Sequence, residues 1–201
     1  MTTTTTNIIL AGVGGQGVLL ISELLARTAI AAGLDAKQTE IHGVSQRGGS
    51  VYSHVRFGPK VHSPLIAPGQ ADVVLGVEKL EALRFANYAR QGGLFIVNDH
   101  EVIPRSAGGA AEKYPHQAIE YLKRQNVTVI DIPATRRATE LGNIRVANII
   151  LLGALSTRLA LPADIWRDTL NARIPERFLE INRRAFALGQ KLAAEQATLA
   201  T

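Results

Sequence analysis

The feature that most constrains the fold is an apolar run that enters a cluster of glycines and leaves it as a long amphipathic segment. Residues 7–33 read NIILAGVGGQGVLLISELLARTAIAAG. The run at 7–11 predicts a β-strand, and the apolar spacing over 15–32 predicts an α-helix that ends at Gly33. One stripe of this helix is apolar and consists of Val18, Ile21, Leu25, Ala29 and Ala32. A strand, a tight turn and a helix in this order favour an α/β sheet.

Strand-like and helix-like segments alternate after this unit. Continuous apolar runs predict strands that are covered on both faces, and a shorter strand over 36–41 precedes them. The runs are ADVVLGVE (71–78), LFIVND (94–99) and VTVIDIP (127–133). Helices are predicted at KLEALRFANYARQGG (79–93), at HQAIEYLKRQ (116–125) and from Ala134 to the end, with breaks near Gly142, Pro162 and Pro175.

The segment SVYSHVRFG, residues 50–58, has the period of two that is typical of a strand with two different faces. One face carries Val51, Ser53, Val55 and Phe57, and the other carries Tyr52, His54 and Arg56. This segment can add an antiparallel strand to an otherwise parallel sheet. We therefore expect an α/β, three-layer, Rossmann-like domain with a mainly parallel or mixed sheet and a helical C-terminal third. One domain is expected over 1–201, with a disordered Thr-rich tail at 1–6.

Composition excludes several classes of function. The chain has no cysteine, so it can form no disulfide and supplies no thiol nucleophile and no thiolate ligand for an iron–sulfur cluster. The net charge of +5 is scattered and aromatic residues make up only 5%, which argues against nucleic-acid binding.

The most apolar run, 146–155, is interrupted by Asn148 and flanked by arginines, so no membrane span and a cytoplasmic protein are expected. Asn148 itself is expected to satisfy a buried polar group.

The glycine cluster GVGGQG, residues 12–17, fits the pattern G-x-G-x-x-G. A helix that starts after such a turn points its N-terminal N–H groups at one place, which suits an anion. An NAD site would also need an acidic residue at the end of the second strand to bind the ribose. Asp35 lies before the predicted second strand, and Glu40 lies within that strand but farther from the glycines than the pattern requires. Two interpretations stay open, an anion or nucleotide site and a turn that only allows close packing. The candidate residues are Gly12, Gly14, Gly15, Gln16 and Gly17.

A second constellation lies in HGVSQRGGSVYSHVRFG, residues 42–58. Arg47 offers a planar fork of donors for a carboxylate or a phosphate. The loop gathers polar groups and glycines, and its candidates are His42, Ser45, Gln46, Arg47, Gly48 and Gly49, followed by His54 and Arg56 on one strand face. The chain's histidines lack the tight spacing of metal ligands, so no metal site is expected and each is taken as exposed or satisfied by its neighbours.

These two motifs, GVGGQGV and HGVSQRGGSVYSHVRFG, together resemble the gamma-subunit family of 2-oxoacid:acceptor oxidoreductases, and within it the small subunits of the indolepyruvate:ferredoxin type. The resemblance continues through ADVVLGVEKLEALRFANY, GLFIVND, NIILLGAL and NRRAFALGQ, so it runs over nearly the whole chain after the Thr-rich tail. The loop HGVSQRGGSV distinguishes this type from the pyruvate-type gamma chains.

The resemblance implies a division of labour with a large partner subunit. That partner would carry thiamine diphosphate, Mg²⁺ and 4Fe–4S clusters, and the complex would oxidatively decarboxylate an aryl 2-oxoacid, use coenzyme A as co-substrate and reduce ferredoxin. This chain would hold no cofactor, and no catalytic residue is assigned to it. His42, Ser45, Gln46 and Arg47 would lie nearest the shared active site. The alternatives are a free-standing NAD(P)- or flavin-binding Rossmann-like subunit and a non-enzymatic assembly subunit.

Overall fold

The computed structural model describes residues 4–42, 49–103 and 114–199. Its strands are β1 (Thr6–Val13), β2 (Asp35–His42), β3 (Ser50–Gly58), β4 (Ala71–Gly76), β5 (Ala89–Asn98) and β6 (Thr128–Ile132). Its helices are α1 (Val18–Ala31), α2 (Lys79–Arg84), α3 (Ala118–Lys123), α4 (Ala134–Glu140), α5 (Ala147–Ser156), α6 (Ala163–Arg173) and α7 (Glu176–Leu199). The alternation of strands and helices that the sequence predicts is therefore confirmed.

The six strands form one mixed sheet in the order β2-β3-β1-β4-β5-β6. The parallel pairs are β1 with β4, β4 with β5 and β5 with β6. β3 runs antiparallel to both β1 and β2. The antiparallel strand predicted at 50–57 is thus confirmed, but it lies inside the sheet, between β1 and β2. In the usual dinucleotide-binding order, the first two strands would be neighbours.

Helices cover both faces of the sheet, as the three-layer prediction requires. Ile8 and Leu10 of β1 belong to the larger core, which contains residues from α1 and from α4 to α7. Ile9 and Ala11 point the other way into a smaller core with α2 and α3. The period of two in β1 therefore divides its side chains between two cores. The C-terminal third is helical and packs on one face, as expected.

α5 is the central helix of the larger core, and all ten of its residues are buried. α7 crosses it at two glycines. A Cβ atom built on Gly153 of α5 would collide with the carbonyl oxygen of Phe186, and one built on Gly189 of α7 would collide with the carbonyl oxygen of Ile150. The two backbones approach as closely as they do because neither position carries a side chain.

Three predicted boundaries are wrong. α1 begins at Val18 rather than at residue 15, because Gly15 and Gly17 have φ angles of 99° and 78° that no α-helix accommodates. The helix predicted over 79–93 ends at Arg84, and β5 already begins at Ala89, which pairs with Ala71 across an irregular register. β1 begins at Thr6, within the segment assigned to the tail.

Within the described ranges, no helix combines the length and the apolar character that crossing a bilayer would require.

Candidate functional site

The glycine turn, residues 12–17, closes tightly at the carboxyl end of β1. The N–H group of Gln16 donates to the carbonyl oxygen of Val13 at 3.0 Å, and the Gln16 side-chain oxygen accepts from the Val13 N–H group at 2.7 Å. A Cβ atom on Gly12 would lie 2.9 Å from both this side-chain oxygen and a methyl group of Val18. The glycines therefore allow close packing, as one of the two interpretations requires.

The same turn also provides a place for an anion. Gly17 is the N-cap of α1 in a left-handed conformation, and no side chain caps this helix. The N–H groups of the first turn, at Val18, Leu19 and Leu20, have no partner within the helix because no earlier helical carbonyl reaches them. The positive end of the helix dipole lies at the same position. The packing role and the anion-binding role are compatible.

The start of β3 is held against the glycine turn from the side. The Gly14 N–H group donates to the carbonyl oxygen of Gly49 at 2.8 Å. The next residue, Ser50, donates through Oγ to the buried carboxylate of Glu81 at 2.5 Å, and Arg84 lies 3.1 Å from the same carboxylate. Burial raises the pKa of Glu81, although the bonds from Ser50 and Arg84 oppose that shift. The chain that follows the 42–49 loop is thus fixed next to the turn.

Most of the loop candidates lie outside the described residues. This applies to Ser45, Gln46, Arg47 and Gly48. The backbone of His42 ends β2, and Gly49 is the one loop candidate whose contact with the glycine turn is described.

His54 and Arg56 are not brought to the glycine turn. β3 runs antiparallel to β1, so Arg56 lies opposite Asn7, at the far end of β1. Six residues of strand correspond to about 20 Å between Arg56 and Ser50. The Arg56 guanidinium donates to the Asn7 side chain at 2.8 Å and to the carbonyl oxygens of Ser63 and Leu65 at 2.9 and 3.2 Å. These bonds give Arg56 a structural role in holding the 59–66 connection.

His54 is a buried histidine that its neighbours satisfy only in part, since Nδ1 is hydrogen-bonded and Nε2 has no partner among the described residues. Its side chain is 3% exposed, and Nδ1 accepts the N–H group of Ile66 at 2.9 Å. The proton of the neutral ring is therefore on Nε2. The rings of Tyr52 and Tyr88 lie beside it, with centroids at 5.6 and 5.9 Å. Burial lowers the pKa of His54 below its ordinary value of 6.5.

This burial predicts a pH dependence of stability. Because the unfolded chain binds the His54 proton more readily than the folded chain does, the free energy of unfolding should fall as the pH drops below 6.5, until the folded-state pKa is reached. Urea unfolding between neutral and mildly acid pH measures this slope. His54→Asn keeps a hydrogen-bond acceptor but cannot titrate, so its slope should be shallower. Equal slopes for the two proteins would remove His54 as the cause.

Two cavities flank the glycine turn. The β2-side cavity has a volume of about 380 Å³ and lies between the turn, α1 and strands β2 and β3. It is lined by Val13, Gly14, Gly15, Gly17, Val18, Leu19, Glu40 and Val51. The α5-side cavity, of about 470 Å³, is lined by Gly15, Gln16, Gly17, Val77, Asn98, His100, Thr135, Ile144, Arg145, Ala147 and Asn148. Gly15 and Gly17 belong to both cavities, so the turn is their common wall.

The two acids considered for a ribose lie apart. Glu40 lines the β2-side cavity together with the glycines. Asp35, at the start of β2, accepts the Val61 N–H group at 2.9 Å, and this bond and the nearby Lys37 lower its pKa despite some desolvation. Asp35 therefore has a local structural role.

Sequence analysis missed the α5-side cavity. Among its lining residues, Asn98 ends β5, His100 follows β5, and Arg145 precedes α5. The available signal was the rule that ligands of open α/β sheets bind beyond the carboxyl ends of the strands, where the strand order reverses. Here β2 and β3 lie on one side of β1, whereas β4, β5 and β6 lie on its other side. The strand order therefore reverses between β1 and β4. Asn148 was expected to satisfy a buried polar group, and its Nδ2 does donate to the carbonyl oxygen of Gly17 at 3.3 Å.

Across the parts of the chain that the structure describes, no three histidine or acidic side chains come together as a metal site.

A family model and the sequences of curated proteins both match nearly the whole chain. The model of the pyruvate ferredoxin/flavodoxin oxidoreductase family matches residues 7–192. Indolepyruvate oxidoreductase subunit IorB of Pyrococcus horikoshii is 36% identical over 96% of this chain and 98% of its own length. The subunit of the same name from Thermococcus kodakarensis is 36% identical over 94% of this chain and 96% of its own.

Solved structures share the fold. The gamma subunit of a keto/oxoacid ferredoxin oxidoreductase from Geobacter sulfurreducens superposes with a TM-score of 0.71 and 26% identity, over 94% of this chain and 99% of that one. A 2-oxoglutarate:ferredoxin oxidoreductase from Magnetococcus marinus gives a TM-score of 0.75 at 22% identity, over 96% of this chain and 32% of that one. In the second case nearly the whole of this chain corresponds to one part of a longer polypeptide.

Proposed function

Since this chain belongs to the pyruvate ferredoxin/flavodoxin oxidoreductase family and is a subunit of a 2-oxoacid oxidoreductase, we propose that it is the small subunit of a CoA-dependent complex of the indolepyruvate:ferredoxin type. The observation that carries the proposal is end-to-end similarity at 36% identity to indolepyruvate subunits, against 28% for a 2-oxoglutarate synthase subunit. In the proposed reaction, an aryl 2-oxoacid is oxidatively decarboxylated, coenzyme A takes up the acyl group and ferredoxin takes up the electrons.

The redox chemistry is assigned to a large partner subunit. This chain contains no cysteine, so thiolate-held 4Fe–4S clusters must be on another chain. Thiamine diphosphate and Mg²⁺ are assigned to the same partner. The proposed role of the small subunit is to close the site, exclude water from it and position substrate. A cytoplasmic location is part of the same proposal.

The glycine-turn end of the sheet is the proposed contact face for partner and coenzyme. Two large apolar side chains are exposed there, Leu19 at 47% and Ile144 at 57%, and each lines one of the two cavities. These exposed apolar side chains beside the two cavities support the proposal of a contact face at this end of the sheet. An anionic group of coenzyme A would find the uncapped N-terminus of α1 at the same place.

The proposal is tested by reconstitution. This chain, mixed with the large subunit, should support reduction of a viologen dye by indolepyruvate and coenzyme A, whereas neither chain should do so alone. Undiminished CoA-dependent turnover by the large subunit alone would contradict the proposal. The NAD(P)-binding alternative is less well supported because β3 separates β1 from β2, although Glu40 does line the β2-side cavity. Saturable NADH binding by the isolated chain would favour that alternative.

A substitution of Arg47 tests the proposed positioning role of the loop at residues 42–49. If its guanidinium orients a carboxylate or a phosphate, Arg47→Lys keeps the charge but loses the bidentate geometry. The kcat/KM of the assembled complex should then fall by about ten- to a hundredfold, with an unchanged melting temperature. KM for the 2-oxoacid and for coenzyme A, measured separately, identifies the ligand. A lower melting temperature with little kinetic change would make Arg47 a structural residue.

A further inference from the structure

Helix α2 carries two buried carboxylates at its start, on the face of the sheet opposite α1. Glu78, the N-cap residue of α2, is 1% exposed, and Glu81, in the first turn, is 3% exposed. Burial and, to a smaller extent, the charge of Glu78 raise the pKa of Glu81. Well-packed apolar residues are often less costly than buried charges, so a role for these two acids has to come from the contacts that they make.

Glu78 joins α2 to two other parts of the chain. One of its carboxylate oxygens accepts the N–H group of Glu81 at 2.9 Å, which caps the helix. The other oxygen accepts the N–H group of Val102 at 3.1 Å and the hydroxyl group of Tyr114. Both oxygens therefore have partners, and Glu78 fixes the helix turn from which the side chain of Glu81 projects.

Glu81 reaches from α2 to the start of β3. Its Oε2 atom accepts the hydroxyl group of Ser50 at 2.5 Å, and its Oε1 atom lies 3.1 Å from the guanidinium of Arg84. Arg84 is largely exposed and lies on the same helix, so this ion pair contributes little. The bond from Ser50 is the contact through which the Glu81 side chain acts on another segment of the chain.

Ser50 marks the point at which β3 meets the glycine turn. It lies opposite the last residue of β1, and the carbonyl oxygen of the preceding residue, Gly49, accepts the N–H group of Gly14 at 2.8 Å. The bond of Gly14 therefore depends on where the chain enters β3, and the bond between Ser50 and Glu81 fixes that entry. The N–H group of Gln16, in contrast, donates at 3.0 Å to a carbonyl oxygen within the turn itself.

We propose that Glu81 is a positioning residue for the glycine turn: through Ser50 it fixes the Gly49 carbonyl group that holds the N–H group of Gly14. A charged acceptor binds the Ser50 hydroxyl group more strongly than a neutral one would, and this offsets the cost of burying the carboxylate. The inference rests on the proposed function only for the use of the turn, which is contact with the partner subunit and the coenzyme.

Amide hydrogen exchange of the full-length chain, followed by NMR, tests the inference. Ser50→Ala should speed exchange at Gly14 by about tenfold and leave Gln16 unchanged, because only the Gly14 bond depends on the entry of β3. Ser50→Thr keeps the hydroxyl group and should restore the Gly14 rate. Ser53→Ala is the matched control on the same strand, since the Ser53 hydroxyl group has no hydrogen-bond partner among the described residues, and it should change neither rate.

Substitution of Glu81 itself provides a second measurement. Glu81→Ala should speed exchange at Gly14 by the same factor as Ser50→Ala. The double variant should show no further increase, because both substitutions remove the same bond. If Glu81→Ala does not fold, the comparison of Ser50→Ala with Ser50→Thr decides the matter alone.

Turnover of the reconstituted complex gives the functional readout. Ser50→Ala should lower kcat/KM by about tenfold, Ser50→Thr should restore it, and Ser53→Ala should leave it unchanged. An unchanged Gly14 exchange rate in Ser50→Ala, or equal acceleration at Gly14 and Gln16, overturns the inference. Faster exchange at Gly14 with unchanged turnover also overturns it, because the position of the turn would then not matter for the reaction.

A failure of the proposed function would look different. In that case the complex with the wild-type chain would show no turnover at all. The exchange rates of the isolated chain would nevertheless decide whether Glu81 positions the turn, because they do not depend on the partner subunit.

Discussion

Gly189→Val should lower the free energy of unfolding by at least about 3 kcal/mol and the melting temperature by about 10 °C. A Cβ atom at this position meets backbone rather than a movable side chain. Besides the carbonyl oxygen of Ile150, the Ile150 carbonyl carbon would lie at 2.8 Å and the Ala154 nitrogen at 2.9 Å. α7 can accept the substitution only by moving away from α5, and all ten residues of α5 are buried in the larger core. Circular dichroism melts measure the effect.

A matched control is available on the same helix. Ala187 is exposed two positions before Gly189, so Ala187→Val adds atoms to α7 without touching α5 and should cost well under about 1 kcal/mol. Gly189→Ala provides a test of sign. In an exposed helix a glycine-to-alanine change stabilises by about 1 kcal/mol, whereas here it should destabilise. A Gly189→Ala protein more stable than wild type would show that α5 and α7 are not as close as described.

Gly17→Ala should be the most damaging single change in the glycine turn. Two costs add at this position. Its φ of 78° is left-handed, which costs a residue with a Cβ atom about 1–2 kcal/mol. In addition, the new Cβ atom would collide with Nδ2 of Asn148, a buried side chain. We expect a loss of about 3 kcal/mol and a melting temperature lower by about 10 °C, which thermal melts measure.

Gly15→Ala separates the two costs. Gly15 also has a left-handed φ, of 99°, but a Cβ atom there would meet no other atom within 4 Å. This variant should therefore show only the conformational cost, about 1–2 kcal/mol. If Gly15→Ala and Gly17→Ala melted at the same temperature, the contact between Gly17 and Asn148 would contribute nothing, and the α5-side cavity would lose its link to the turn.

Local sequence patterns were sufficient to predict most of the strands and helices. The period of two in 50–58 predicted β3 and its two faces, and the continuous apolar runs predicted β4, β5 and β6, because burial on each face selects those residues. The period cannot tell where in the sheet a strand lies. β3 could have been an edge strand, and its place between β1 and β2 depends on pairing over long distances in the sequence.

The candidate site was predictable only in part for the same reason. The glycine turn is contiguous in sequence and was found. The α5-side cavity joins Gly17, His100 and Arg145, which no local window contains. Gly153 and Gly189 appear in the sequence as poor helix residues, and only the crossing of α5 and α7 explains them.

The interposed position of β3 has a consequence for how the chain acquires its fold as it is made. β1 is synthesised before both of its neighbours in the sheet, because Ile8 pairs with Val55 on one side and with Val73 on the other. One edge of β1 therefore stays unpaired until Val73, 65 positions after Ile8, has been synthesised. α7 covers α5, so the larger core closes only after the residues from Glu176 onward have been synthesised. High contact order of this kind predicts slow folding and a need for chaperones early in synthesis.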